Sequence, residues 1–176
     1  MNNMRKIRKP GDGEYPSYAG MYINLLPNDE LILDHLKKNF MEVKKFILSL
    51  PLEKLDYRYQ PGKWTIKEII THIIDDERVY AYRALCFARN EKTELPGFDQ
   101  DEYAKHSGTN ERNISNIIEE YKAVRHATIT LFNGLSDEAL TRYGTANNNK
   151  ATVRALCYHI AGHELHHINF IKEFYL

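Results

Sequence analysis

Ten residues near the C-terminus hold the densest chemistry in the chain: Tyr158-His159-Ile160-Ala161-Gly162-His163-Glu164-Leu165-His166-His167. Four of the eight histidines fall here, within nine residues. Imidazole is a common ligand of transition metals, and a helix sets residues four apart on one face. Val153, Leu156, Ile160, Leu165, Ile168 and Ile171 give the stretch the apolar spacing of an amphipathic helix. His163 and His167 form one pair at that spacing, His159 and His163 another, and His163 with His166 a looser one. They cannot all serve one ion. His159 and His167 would lie about 12 Å apart along the helix axis, whereas two nitrogens each about 2.1 Å from one ion lie no more than about 4 Å apart. The stretch therefore offers two ligands, and a third must come from another element.

The elements that could position such a site follow from composition and pattern. At 176 residues the chain is long enough for one domain with a real hydrophobic core. Lysine plus arginine equals aspartate plus glutamate, 24 of each, so no net charge favours nucleic acid or an anionic membrane. No stretch approaches the length of a membrane span, and no secretory signal is recognisable. Cys86 and Cys157 lie inside helical patterns, outside any Cys-x-x-Cys spacing, and read as buried thiols of a cytoplasmic protein.

Residues 1–27, rich in Pro, Gly and Tyr, read as an extended arm, and residues 28–176 as the helical domain. Asn28 is the expected cap of a first helix that runs to about Leu50. Thr65 and Glu68 form a capping-box pattern ahead of a second helix, Ile66 to about Asn90. Pro96-Gly97 breaks that pattern, and a loop leads to Asn110, the expected cap of a third helix reaching about Gly134. A short turn at Ser136-Asp137-Glu138 and a loop through Gly144 and Asn147-Asn148-Asn149 precede a fourth helix, about Ala151 to Phe174. With no convincing strand, the pattern is an all-α four-helix bundle whose long connections are suited to building a pocket.

For the third ligand, His106 and His126 read as surface residues, and His35 has no acidic or aromatic company. His72 is different. It precedes Asp75 and Asp76 by one turn on a strongly apolar helix, so a carboxylate could ligate, orient an imidazole or take a proton. Spacing alone leaves His72 open as a ligand or as a satisfied core histidine.

Two blocks of sequence resemble the DinB/YfiT-like superfamily of metal-binding four-helix bundles. One is Lys63-Trp64-Thr65-Ile66-Lys67-Glu68-Ile69-Ile70-Thr71-His72, continuing through Asp75 to Arg83 and Pro96-Gly97-Phe98-Asp99-Gln100. The other is Val153-Arg154-Ala155-Leu156 with Tyr158 to His167. The resemblance implies that His72, His163 and His167 hold one divalent metal, with His159 and His166 as neighbours. Zinc or nickel comes first, with iron, cobalt or manganese as alternatives. The spelling His-Glu-x-x-His from His163 to His167 is then a coincidence rather than a zinc-protease helix.

The activity so implied is transfer of a low-molecular-weight thiol, activated as thiolate on the metal, to a small-molecule substrate. In that scheme Asp76 or Glu164 would handle a proton, and Arg83 and Arg154 would neutralise carboxylates. Hydrolysis is the alternative, as is a non-catalytic metal-binding protein of the stress or DNA-damage response. A homodimer is a further implication of the resemblance.

Overall fold

Thr65 starts the helix around which the others assemble. Its hydroxyl accepts from the Glu68 backbone N–H at 3.1 Å, and the Glu68 carboxylate accepts from the Thr65 N–H at 2.7 Å, completing the expected capping box. The computed structural model describes residues 4–176. Its four long helices are α1 (Ile32–Leu48), α2 (Ile66–Ala88), α3 (Ile114–Asn133) and α4 (Val153–Phe174). Among the described residues no helix is long and apolar enough to cross a membrane.

The bundle order is α1–α3–α2–α4, closed by α4 against α1, so α1 and α2 face each other diagonally. That arrangement requires the connections from α1 to α2 and from α3 to α4 to cross the bundle diagonally, whereas α2 and α3 are neighbours. α2 is buried all round over its first three turns, Ile66 to Ile74, and packs most extensively on α4.

Several boundaries differ from the sequence reading, each for a local reason. α1 begins four residues beyond Asn28 because Glu30 adopts the left-handed conformation (φ 64°), and Asp29 instead accepts from the Leu31 N–H at 3.0 Å. α2 ends at Ala88, with Asn90 left-handed behind it (φ 64°). α3 is capped by Asn113, not Asn110; Asn110 lies in a 3₁₀ turn and donates its amide to Glu68 at 2.9 Å. The connection from α2 to α3 contains a short helix, Gln100–His106.

A hairpin replaces the expected loop before α4: β1 (Tyr143–Ala146) pairs antiparallel with β2 (Asn149–Thr152). Asn147 and Asn148 turn it with φ of 50° and 59°, the left-handed pair that a two-residue hairpin turn requires. The N-terminal arm is not simply extended. Residues 17–23 are helical, and Ile7, Ala19, Ile23 and Leu26 are buried in the core. Gly162 is what admits this arm to α4, because a Cβ there would lie 2.3 Å from the Tyr22 carbonyl oxygen.

The apolar core falls into two clusters. One gathers the arm, the hairpin and Phe87, Phe132 and Tyr158; the other gathers Ile66 to Ile74 with Tyr121, Ile168 and Tyr175. Buried polar side chains on α2, α3 and α4 form a layer around the junction of the two.

Candidate metal centre

The histidines of that layer come from α2 and α4. His72 sits two turns into α2 with Trp64 tilted over its ring, centroids 4.8 Å apart. His163 and His167 occupy successive turns of α4. The three Nε2 atoms converge: His72 to His163 is 3.2 Å, and His167 to His163 is 3.0 Å. One ligand atom from each lies within 4.8 Å of the others. His72 and His163 are each only 5% exposed, while His167 is half-buried and opens onto a cavity.

Asp76 lies behind His163, fully within the protein. Its Oδ2 is 3.4 Å from His163 Nδ1 and 3.4 Å from His159 Nε2. A carboxylate on that side favours the proton on His163 Nδ1 and leaves the Nε2 lone pair facing the cluster. Burial alone would raise the Asp76 pKa, but His163 and His159 beside it outweigh this and hold it well below the usual carboxylate range. Burial pushes the histidines the other way. His163 falls to about 3 against the pull of Asp76, and His167 to about 2. His72 is lowered by the same desolvation. The cluster is therefore neutral imidazole at neutral pH, the form that binds metal.

The donor set fits a divalent cation. An Nε2 that accepts at His163 cannot satisfy two neighbours at once, so three converging nitrogens are poorly served by one another. Tetrahedral ligands at about 2.0–2.1 Å lie about 3.3 Å apart, close to the 3.0 and 3.2 Å found here.

The sequence profile of the DinB superfamily matches residues 35–171, which carry all three histidines. The chain belongs to the DinB superfamily. Among curated relatives, this DinB protein is 27% identical over 125 residues to a candidate metal-dependent hydrolase of Oceanobacillus iheyensis, covering 70% of this chain and 72% of that one. Its fold matches that of YfiT from Bacillus subtilis, described as a probable metal-dependent hydrolase with an unusual four-helix bundle topology. The TM-score is 0.76 at 16% identity, covering 98% of this chain and 93% of YfiT.

The other residues singled out in the sequence lie elsewhere in the DinB fold. Glu164 follows His163 but points about 100° away round the helix. It is 0% exposed, accepts from the Tyr121 hydroxyl and pairs with Arg125 at 3.0 Å. Arg154 is about 13 Å along α4 from His163, where it donates through Nε and Nη2 to the two carboxylate oxygens of Glu14 of the arm. Arg83 donates to the Pro96 carbonyl at 3.0 Å and stacks on Tyr80, 5.0 Å from the ring centroid. Glu164, Arg83 and Arg154 are thus not brought to the three histidines; Asp76 is.

His159 stacks on Tyr80 at 3.8 Å, nearly parallel, with Tyr22 edge-on at 5.1 Å. Tyr22 also meets His163 and His166 edge-on, so the arm closes one side of the histidine face. His35 does have acidic company, Asp29 at 2.8 Å, but on the surface. Sequence reasoning missed Arg125, which beside His126 reads as a surface charge. The signal available was its position one turn after Tyr121 on the apolar face of α3.

Proposed function

We propose that this protein is a metal-dependent enzyme in which His72, His163 and His167 hold one divalent ion. Its reaction, on this reading, is transfer of a low-molecular-weight thiol to an electrophilic small molecule in the cytoplasm. The observation that carries it is the convergence of three Nε2 atoms at the foot of an open cavity, with no carboxylate among them. When bound, a zinc- or nickel-like ion supplies the Lewis acidity that deprotonates a coordinating thiol at neutral pH.

The chain's own residues do the rest. His72 and His163 hold from the buried side, and His167 from the cavity side. Asp76 keeps the His163 proton on Nδ1, and Trp64 packs against the His72 ring. Thiol activation of this kind needs no separate general base, and two of the nearby carboxylates are already engaged by arginines. Glu68 is bound by Arg58 at 2.8 and 3.0 Å, and Glu164 by Arg125.

Hydrolysis is the second reading, and one observation favours it. Asp101 lines the same cavity, and its carboxylate makes no ion pair among the described residues. It could accept a proton there.

A thermal-shift panel of thiols on metal-loaded protein separates the two. Stabilisation by one thiol, lost in His163→Ala, together with conjugation to an electrophile unaffected by Asp101→Asn, supports transfer. Silence across the thiols, with ester or amide hydrolysis abolished by Asp101→Asn, would replace it with hydrolysis.

A further inference from the structure

The cavity beside His167 has a volume of about 750 Å³, far more than three imidazoles and one ion require. Its floor is aromatic, with Trp64, Phe170 and Tyr175 among its walls. Its rim is basic, formed by Arg58 and Lys63 on the loop before α2 and by Lys105 on the short helix Gln100–His106.

These charges are not equally available. Arg58 is matched to Glu68 through two hydrogen bonds, so that pair contributes little net field. Lys63 has no carboxylate partner among the described residues. The turn holding it is fixed by Gly62 at φ +77° and by Arg58 donating to the Lys63 carbonyl. Lys105 lies 3.3 Å from Glu102, but the two side chains are 66% and 57% exposed, and such a surface pair is weak and readily exchanged. With the Arg58–Glu68 pair set aside, the wall sets one carboxylate, Asp101, against these two ammonium groups. Cations above a low-dielectric aromatic floor concentrate their field in the cavity mouth.

We propose that the cavity mouth is a recognition subsite for small carboxylate-bearing molecules, with Lys63 and Lys105 binding the carboxylates and Trp64 and Phe170 the apolar portion. The inference rests on reading this cavity as the approach to the three histidines. It moves carboxylate recognition from Arg83 and Arg154, which are hydrogen-bonded to the Pro96 carbonyl and to Glu14, to Lys63 on a loop and Lys105 on the short helix. A ligand anchored at the rim would reach His167 with its other end, so the subsite would choose among thiols by their acidic groups.

Trp64 is the only tryptophan, so its fluorescence reports occupancy without any assay of turnover. The probes are glutathione, S-methylglutathione, which keeps both carboxylates but has no free thiol, and the diethyl ester of S-methylglutathione. S-methylglutathione is expected to change Trp64 emission in both metal-loaded and chelator-stripped protein. Lys63→Gln combined with Lys105→Gln should weaken that binding by about tenfold, the sum of two exposed charge contacts. Both lysines are exposed, so this variant should keep its fold, which circular dichroism checks. Equal binding of acid and diester, no binding of either, or no loss in the double variant would overturn the subsite. Failure of the thiol reading looks different: glutathione would bind metal-loaded protein no more tightly than S-methylglutathione, while the acid-over-ester preference persisted.

Discussion

Two buried polar groups sit side by side on the same helices and are finished in opposite ways. Asp76 and His163 face one side of the α2–α4 interface; their immediate neighbours Glu77 and Glu164 face another. On the second side every charged group has a polar partner, one guanidinium being shared by two carboxylates. Arg125 donates to Glu77 at 2.9 to 3.1 Å, to Glu164 at 3.0 Å and to the Leu36 carbonyl at 2.6 Å, and Tyr121 donates to Glu164. Burial alone would lower the Arg125 pKa, but Glu164 and Glu77 hold it well above its ordinary value. On the first side three nitrogens point at one another, and Asp76 Oδ2, although 3.4 Å from His163 Nδ1 and His159 Nε2, completes no hydrogen bond among the described residues, nor does either ring nitrogen of His159. A buried polar cluster that is complete holds helices in register; one whose donor atoms converge without partners is built to receive something else.

The contrast makes opposite predictions for the two sides. The largest effect belongs to the complete side. Arg125→Met leaves Glu77 and Glu164 buried without their counter-charge and should cost about 3–5 kcal/mol in urea unfolding. If that variant is as stable as wild type, the ion cluster does not hold the helices together. On the histidine side, Asp76→Asn should leave stability of the metal-free protein far less changed but weaken metal binding about 10–100-fold. Competition with a chromophoric chelator measures it, and an unchanged affinity would mean that Asp76 does not orient His163.

The smallest effect per group concerns pH. His163 and His167 titrate near 6.5 when unfolded but at about 3 and about 2 when folded. The unfolded chain therefore binds more protons below pH 6.5, and stability falls as pH falls through that window towards 3. For metal-free protein each histidine should contribute at most about 1 kcal/mol of this loss between pH 6.5 and 5.5. Urea midpoints at the two pH values test it, and His163→Phe should flatten the slope.

The helices and the histidine groups were legible because period and spacing are local properties. Ile66 to Ala88 announces its start through Thr65 and Glu68, and His163 and His167 share a face by geometry alone. The Glu77–Arg125–Glu164 cluster was not legible, because a charged residue in a helical pattern looks the same whether it meets solvent or a partner from two other helices. Arg83 and Arg154 lie away from the three histidines for a related reason. Their partners, the Pro96 carbonyl and Glu14, are distant in sequence and are chosen by tertiary packing. The hairpin had a readable signal, the Asn147-Asn148 turn, but strands of four residues carry too little alternation to stand out. The rim lysines lie on a loop and on a seven-residue helix, too short for a period to mark which side chains share a cavity.

The most direct test of the central claim is bound metal per chain, measured by elemental analysis on protein purified without chelators. Wild type, His72→Ala and His126→Ala would be compared, the last being an exposed histidine of α3. The account predicts close to one divalent ion per chain in wild type and His126→Ala, and little in His72→Ala. Equal metal in His72→Ala and wild type would contradict it, because α2 and α4 would then not meet at a shared ion.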